Sequence, residues 1–272
     1  MNQTFSFQRF WTYFKYDLVQ MWRRHSKAAI LIGGASALFY ILWVMFSLVF
    51  SQVWNTPPIE ARLVVFIIAF AILELYEVRL YGHITDKKEG SAWLMVPASR
   101  TEKFVSMLLI SLIVVPLLFV VVYAVIDGFL SLVDPTYGQA LAAGFSGAYG
   151  KFLEGIAEIN SQAAINLTPS MVFIPSFVGH FANFMYFLLC GICFKRNKLV
   201  GAIAVLFAIS TVFSLVMGFI MPGVFENWPA DVSEETVQMW VRNTMYITTV
   251  VTILIAIGLG WGIWHRIKTL QH

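Results

Sequence analysis

Two carboxylates interrupt an apolar run and have the clearest potential for chemistry in this chain. Glu74 and Glu77 lie three positions apart within residues 63–80, so a helix places them on the same face. Charged side chains inside an apolar membrane helix are costly, and by default they indicate a proton or substrate site. A structural ion pair, or a polar contact to a neighbouring helix, is the simpler interpretation. The pair is therefore a possible intramembrane polar site with both roles open.

A second apolar run contains His180 and Asn183, which share one helix face. Their side chains suit hydrogen bonding between helices, with substrate binding as the alternative. Cys190 and Cys193 follow in the same run, but two thiols without a His or carboxylate neighbour make a poor metal site. The sequence also lacks the His-Glu-x-x-His and Gly-x-Ser-x-Gly motifs and a complete phosphate-binding loop. We therefore predict no metal site, no catalytic residue and no cofactor bound by this chain.

Six long apolar runs position these side chains. About 20 apolar residues in a helix cross a hydrocarbon layer of ~30 Å. The chain is 59% hydrophobic and 12% charged, which is typical of an integral membrane protein. We therefore predict an all-α integral membrane protein that forms a single domain across residues 1–272. Its six predicted spans are residues 28–51, 63–80, 104–126, 171–194, 199–221 and 244–264.

The segment before the first span, residues 1–27, is amphipathic. Its apolar residues recur at helical spacing, while basic and polar residues cover the remaining surface. This pattern predicts an interfacial helix that contacts membrane lipids, with aromatic side chains in the acyl boundary and bases toward anionic headgroups. A helix that packs its apolar face on the protein itself is the alternative. The apolar residues are Phe7, Phe10, Trp11, Phe14, Leu18, Met21 and Trp22.

The basic residues indicate how the chain is oriented. All but three of the 18 Lys and Arg residues fall in the N-terminal segment, in the loops after the second and fourth spans, or in the C-terminal tail. The exceptions are Arg62, Lys151 and Arg242. Cytoplasmic loops carry the excess of Lys and Arg. Both termini are therefore predicted to be cytoplasmic, which requires an even number of spans.

The loop at residues 81–103 is the largest cytoplasmic element between predicted spans. A charged hinge there precedes a short apolar patch at residues 93–96. An exposed apolar patch beside charges suits the docking of a soluble partner. The alternative is that Trp93 anchors the loop in the membrane interface.

Two features of the sequence concern the third span. Ser99 or Thr101 is predicted to cap the helix that leads into it, with Glu102 in the first turn. Pro116 is expected to kink the span, because proline removes one helical hydrogen bond.

Three residues carry predictions about packing and exposure. Asp127, at the outer end of the third span, is expected to be hydrated. Gly258 and Gly262 form a small-xxx-small pair on the sixth span. Such a face packs helices closely, either within one subunit or across a dimer.

The layout and one stretch of residues resemble an ATP-binding-cassette permease of the type-2 class. That family has an interfacial N-terminal helix, six spans, cytoplasmic ends and a coupling segment between spans two and three. Many of its members carry a Pro-small-Ser-Arg-x-Glu sequence before span three. One difference is that the longer external loop here, residues 134–170, follows the third span, whereas the family often has its larger insert between spans five and six. The matching residues are Glu89-Gly90, Leu94, Pro97-Ala98-Ser99-Arg100 and Glu102-Lys103-Phe104.

This resemblance implies the permease subunit of an exporter in the bacterial cytoplasmic (inner) membrane. ATP and Mg would bind a separate cytosolic ABC ATPase that docks on loop 81–103, and a second permease subunit, identical or related, would complete the path. Nucleic acid is not an expected partner. The docking residues are expected to be Lys87, Lys88, Glu89, Trp93, Leu94, Pro97 and Arg100.

Two other functions compete with this one. A proton-coupled secondary transporter would use Glu74 as its coupling group, although the sequence has no evident inverted repeat. A non-transporting membrane anchor would recruit a cytosolic protein through the patch around Trp93. The transported substrate is not readable from the sequence.

Overall fold

A computed structural model describes residues 5–163, 167–226 and 233–269. The fold is all-helical, with 89% of the structure in helices and no strand among the described residues. The helices are α1 Phe7–Gly33, α2 Ala35–Ser51, α3 Ile59–Leu80, α4 Lys87–Met95, α5 Arg100–Leu109, α6 Val115–Val133, α7 Leu141–Ala163, α8 Pro169–Cys193, α9 Lys198–Glu226 and α10 Glu234–Thr269. Short 3-10 turns lie at Gly82–Thr85 and Pro135–Tyr137, and a π-turn at Ile110–Val114 joins α5 to α6.

Several of these helices are long and apolar enough to cross a membrane. In the described part of the chain they are Arg100–Val133, Pro169–Cys193, Lys198–Phe219 and Glu235–Thr269, and α1 with α2 forms a fifth, bent candidate. The prediction of an all-helical protein is confirmed, and these four or five helices are compatible with a multi-pass membrane protein.

Helix α3, which covers the second predicted span, is not among these candidates. It is 22 residues long but carries five charges, so no 18-residue stretch within it has fewer than three. Charges of this density are unfavourable in contact with lipid, and they require partners inside the protein. The charged residues are Glu60, Arg62, Glu74, Glu77 and Arg79.

The first helix bends at a glycine. The sequence predicted a change from interfacial helix to span after residue 27, but α1 continues to Gly33 and meets α2 at an angle of 41°. Gly34 has φ −82° and ψ 7°, outside helical geometry. A Cβ atom at this position would lie 2.7 Å from the carbonyl oxygen of Ile30, which is closer than real side chains approach. The helix therefore continues past residue 27 and bends at Gly34, while the end of the interfacial segment at residue 27 stays a prediction.

The irregularity predicted at Pro116 is a π-turn. Proline has no N–H to bond the carbonyl of Leu112, four residues earlier. Residues Ile110–Val114 adopt π-helical geometry directly before it, and α6 continues from Val115. A single π-turn of this kind lets the helix continue past a missing hydrogen bond. Such turns are frequent at functional sites.

The chain forms two compact units. The first comprises Met1–Leu80 and Leu94–Lys151, and the second comprises Tyr81–Trp93 and Phe152–His272. The assignment of one domain across residues 1–272 stays a prediction.

An aromatic cluster occupies the core of the first unit. The ring of Phe66 on α3 lies 5.1 Å from Tyr123 and 5.5 Å from Phe119, both on α6, and 5.7 Å from Phe145 on α7. Aromatic pairs at these centroid distances stabilise helix packing beyond the area they bury. They hold α3, α6 and the start of α7 together.

Helices α8 and α10 form the core of the second unit. Leu188 and Ile192 on α8, and Ile263 and Ile267 on α10, are at most 1% exposed. A Cβ on Gly262 would lie 3.3 Å from the Leu189 side chain, so this glycine permits close packing within the subunit.

Gly258 lies one turn earlier on α10 and differs from Gly262. A Cβ there would have no described atom within 4 Å. Packing within the subunit therefore accounts for Gly262 only, and a role for Gly258 across a dimer stays a prediction.

Candidate functional site at the start of the third predicted span

The helix that leads into the third predicted span begins with a reciprocal cap. The backbone N–H of Glu102 donates to Ser99 Oγ at 3.2 Å, and the N–H of Ser99 donates to Glu102 Oε2 at 2.8 Å. This capping box satisfies two backbone donors that would otherwise lack partners at the start of α5. Of the two predicted caps, Ser99 is confirmed.

Glu102 also binds the N-terminal helix. Its Oε1 accepts bonds from the Arg9 guanidinium at 2.7 Å and from the backbone N–H of Ser6 at 2.9 Å. Arg9 Nε donates to Oε2 at 2.8 Å, so the pair is bidentate. Glu102 is fully buried, while the Arg9 side chain is 35% exposed. One carboxylate therefore fastens the start of α1 to the start of α5 with charge-assisted bonds.

The same face of α5 continues this contact. Ser106 Oγ donates to Asp17 of α1 at 2.7 Å, and Lys103 Nζ donates to the Leu94 carbonyl at 3.3 Å. All three polar side chains are buried. We call the set Arg9, Asp17, Ser99, Glu102, Lys103 and Ser106 the α1–α5 polar face.

Helix α1 combines the two arrangements that its sequence left open. Phe10, Tyr13, Asp17 and Met21 are buried against the protein. Trp11 and Trp22 are 48% and 47% exposed, and Phe7 is 72% exposed. The apolar stripe of the sequence is therefore split: one edge packs on the first unit, and the aromatic remainder is available to lipid.

Glu74 and Glu77 are both buried in the first unit, at 7% and 1% exposure. Glu77 is the more enclosed of the two carboxylates. Its polar neighbour is Ser111, which lies in the π-turn and is fully buried. Neither Glu77 Oε2 nor Ser111 Oγ makes a hydrogen bond to another described residue.

His180 and Asn183 lie on the other unit, on α8, and both are exposed. On the same helix Cys190 is buried and Cys193 is exposed, and both are free thiols. Within the described residues, no group of three or more His, Cys, Asp or Glu side chains is arranged to hold a metal ion.

Loop 81–103 presents a different apolar surface from the one predicted. Trp93 is buried, with 9% exposed, so the prediction that it offers an exposed docking surface is wrong. Met95 is 81% exposed and Leu94 37%. Because α4 turns through 100° per residue, burial of Trp93 directs its two successors outward. Of the other predicted docking residues, Glu89, Pro97 and Arg100 are exposed, and the side chains of Lys87 and Lys88 lie outside the described part of the structure.

A lysine from the next predicted cytoplasmic loop fixes the beginning of loop 81–103. Lys198 Nζ donates to the Gly82 carbonyl, to Thr85 Oγ1 at 2.7 Å and to Asp86 Oδ1 at 3.5 Å. These bonds join the 3-10 turn to the start of α9 within the second unit. The positive-inside pattern identified this lysine only as a topology marker, whereas the structure gives it a second role.

A further polar cluster lies at the far end of α6. Asp127 accepts from Arg62 at 3.2 Å and from the Tyr137 hydroxyl at 2.7 Å, and the backbone N–H of Leu141 donates to its second oxygen. Asp127 is fully buried, so the prediction that it is hydrated is wrong. Arg62 also stacks 4.0 Å from the Tyr137 ring centroid. The pair fastens the turn between α6 and α7 to α3.

The turn itself is ordered by Asp134. This carboxylate accepts from Thr136 Oγ1 at 2.6 Å, from the Tyr40 hydroxyl at 2.8 Å and from Trp54 Nε1 at 3.3 Å. The hydrogen bonds from Thr136 and Tyr40 lower the pKa of Asp134, while burial raises the pKa of Tyr137. Asp134 therefore stays ionised and Tyr137 stays neutral across the physiological range.

No family model, curated protein or solved structure matches this chain. Its function must therefore be argued from its own residues.

The sequence left three parts of these polar clusters unpredicted. The pairings of Arg9 with Glu102, Asp17 with Ser106, and Arg62 with Asp127 join positions 65 to 93 residues apart. One signal was available for Asp17, since it interrupts the apolar stripe of α1 between Tyr13 and Met21. A charged residue within such a stripe indicates a buried partner.

Proposed function

We propose that this protein is the membrane-spanning permease subunit of an ATP-binding-cassette exporter. It spans the bacterial cytoplasmic membrane six times, keeps both termini in the cytoplasm and pairs with a second permease subunit. A separate ATPase supplies ATP and Mg chemistry from the cytoplasm. The observation that carries this proposal is the α1–α5 polar face. It connects loop 81–103, which contains the sequence that resembles the permease family, to both α1 and α5.

The contacts suit the transmission of a mechanical push. Leu94 and Met95 are exposed just before the helix start, and the Leu94 carbonyl is bonded by buried Lys103 of α5. Glu102, one residue earlier, is bonded to both Ser99 and Arg9. A partner that displaces residues 94–95 would therefore shift α5, and α1 would follow as part of the same bonded set. Rigid-body movement of packed helices is a general means of alternating access.

The proposed topology gives a matched labelling test. In a Cys190→Ala/Cys193→Ala background, Lys151→Cys and Lys195→Cys each place one thiol at an exposed position. We expect a membrane-impermeant maleimide to label Lys151→Cys in intact cells and Lys195→Cys only after permeabilisation, because the former lies outside and the latter inside. Labelling of both positions in intact cells would contradict the proposed orientation.

Docking can be tested on the exposed part of the loop. Leu94→Asp and Met95→Asp should each remove an apolar anchor worth about 2 kcal/mol, which is roughly a thirtyfold loss of affinity. The measurement is affinity purification from native membranes, followed by mass spectrometry for a co-purifying protein with a phosphate-binding loop. Leu153→Asp, on a 36% exposed leucine of α7, is the matched control.

The control variant should retain the ATPase, and all variants should elute as folded protein. If the unmodified protein brings down no ATPase, or if both loop variants retain it, the proposal fails. Trp93→Asp cannot separate docking from folding, because it would bury a charge and disturb the fold.

A further inference from the structure

The buried carboxylates of the first unit differ in how their charge is compensated. Glu102 has the Arg9 guanidinium and Asp127 has Arg62. Asp17 accepts a bond from Ser106 and lies near Lys103. Glu77 is as deeply buried as these, at 1% exposure, but no lysine or arginine among the described residues forms an ion pair with it. Within the described part of the first unit, Glu77 is therefore a buried carboxylate without a basic partner.

An isolated buried carboxylate cannot remain charged without a large cost. Transfer of a carboxylate from water to an apolar interior costs several kcal/mol even after the surroundings relax. A group in this position takes up a proton instead. The neutral carboxyl then carries one O–H donor, which needs an acceptor at hand.

Ser111 supplies that acceptor. Its hydroxyl is fully buried beside Glu77, and its Oγ and Glu77 Oε2 both lack a partner. The serine hydroxyl can donate to Glu77 when the carboxylate is charged, and its oxygen can accept from the carboxyl when Glu77 is protonated. Ser111 lies in the π-turn at Ile110–Val114, a backbone irregularity of the kind that is frequent at functional sites.

Other titratable groups on α3 and on the helices packed against it do not change this balance. On α3 itself, Glu74 is buried and has an interaction of its own, and Arg79 is exposed. The titratable groups on the neighbouring helices have partners of their own. Asp17 and Lys103 bond Ser106 and the Leu94 carbonyl, and Asp127 pairs with Arg62. His25 lies 2.8 Å from the Tyr76 hydroxyl, Tyr40 donates to Asp134, and Tyr123 donates to the Arg62 carbonyl.

We propose that Glu77 and Ser111 form a proton-binding site inside the first unit, occupied at neutral pH. Uptake forms one O–H bond on the Glu77 carboxylate, and the proton comes from water. The site would hold α3 against the π-turn while it is occupied. This inference does not depend on the proposed transport function.

Infrared spectroscopy of the full-length protein in dodecyl maltoside micelles, which contain no ester carbonyl, tests the site. At neutral pH, exposed carboxylates are ionised and contribute no carbonyl band of a protonated acid. We expect the protein to show one such band, which is lost in Glu77→Gln and kept in Glu154→Gln, a change at an exposed position. Ser111→Ala should shift the band, because the neutral carboxyl loses its hydrogen-bond acceptor.

Three results would overturn the inference. The first is the absence of the band from the unmodified protein, and the second is its persistence in Glu77→Gln. If Glu77→Gln does not fold, the Ser111→Ala spectrum decides, and an unshifted band is the contrary result. The third is disappearance of the band when sodium chloride replaces choline chloride, which would assign the site to a metal cation instead.

Discussion

Replacement of Glu102 by alanine is expected to destabilise the first unit by about 3 kcal/mol, since it breaks a buried, charge-assisted pair. The Arg9 guanidinium and the backbone N–H groups of Ser6 and Ser99 would all lose their acceptor. The measurement is the shift of the thermal unfolding midpoint in detergent. Glu154→Ala, at an exposed position, should leave the midpoint unchanged.

The partner substitution separates the two roles of Glu102. Arg9→Ala removes the ion pair but leaves the capping box with Ser99 intact, and Arg9 is already 35% exposed. It should therefore cost less than Glu102→Ala, and the double variant should cost less than the sum of the single ones. Equal midpoints for Glu102→Ala and the unmodified protein would show that the α1–α5 polar face does not hold these helices together.

Loss of either partner of the buried Arg62–Asp127 pair is also expected to lower the free energy of unfolding strongly. Here, unlike at Glu102, removal of both charges should restore stability. Either Arg62→Ala or Asp127→Ala should cost about 3–5 kcal/mol, because each leaves the opposite charge buried without compensation. Both side chains are at most 2% exposed. Arg242→Ala, on an exposed arginine of α10, is the control and should have little effect.

Removal of both charges should restore much of the loss. In Arg62→Met/Asp127→Leu no charge remains buried, and apolar side chains of similar size take the space. The measurement is again the unfolding midpoint, read as a double-mutant cycle. If the double variant loses as much stability as the two single variants lose together, the two residues act independently.

Much of the fold follows from composition and spacing. Long apolar runs predicted the helices, because a segment with no polar face must satisfy its backbone internally in lipid. Cap-forming residues before the third span predicted a helix start at Ser99 or Thr101, and the cap found at Ser99 is a contact between residues three apart. Each of these predictions depends on neighbours along the chain, and each is visible in one sequence.

The sequence did not predict which individual side chains are exposed, or which residues of distant helices pair. The sequence predicted an exposed apolar patch that includes Trp93. In the structure Trp93 is buried, and Leu94 and Met95 are the exposed part of the patch. Asp127 was predicted to be hydrated because it lies at the end of a span. In the structure it is buried and accepts hydrogen bonds from Arg62 and Tyr137. Helical spacing gives the face on which a side chain lies, but not which other helix covers that face.

By itself, the sequence determined which long segments are helical and where basic residues collect, and it limited the cap of α5 to Ser99 or Thr101. Those properties arise from local hydrogen bonding and from transfer between water and hydrocarbon, which depend on short stretches of chain. Only the tertiary structure decided that Glu102 meets Arg9, that Asp127 meets Arg62 and that Glu77 has no lysine or arginine partner among the described residues. These outcomes depend on how distant helices pack, because a buried charge is stabilised or left uncompensated by whichever neighbour the fold brings to it.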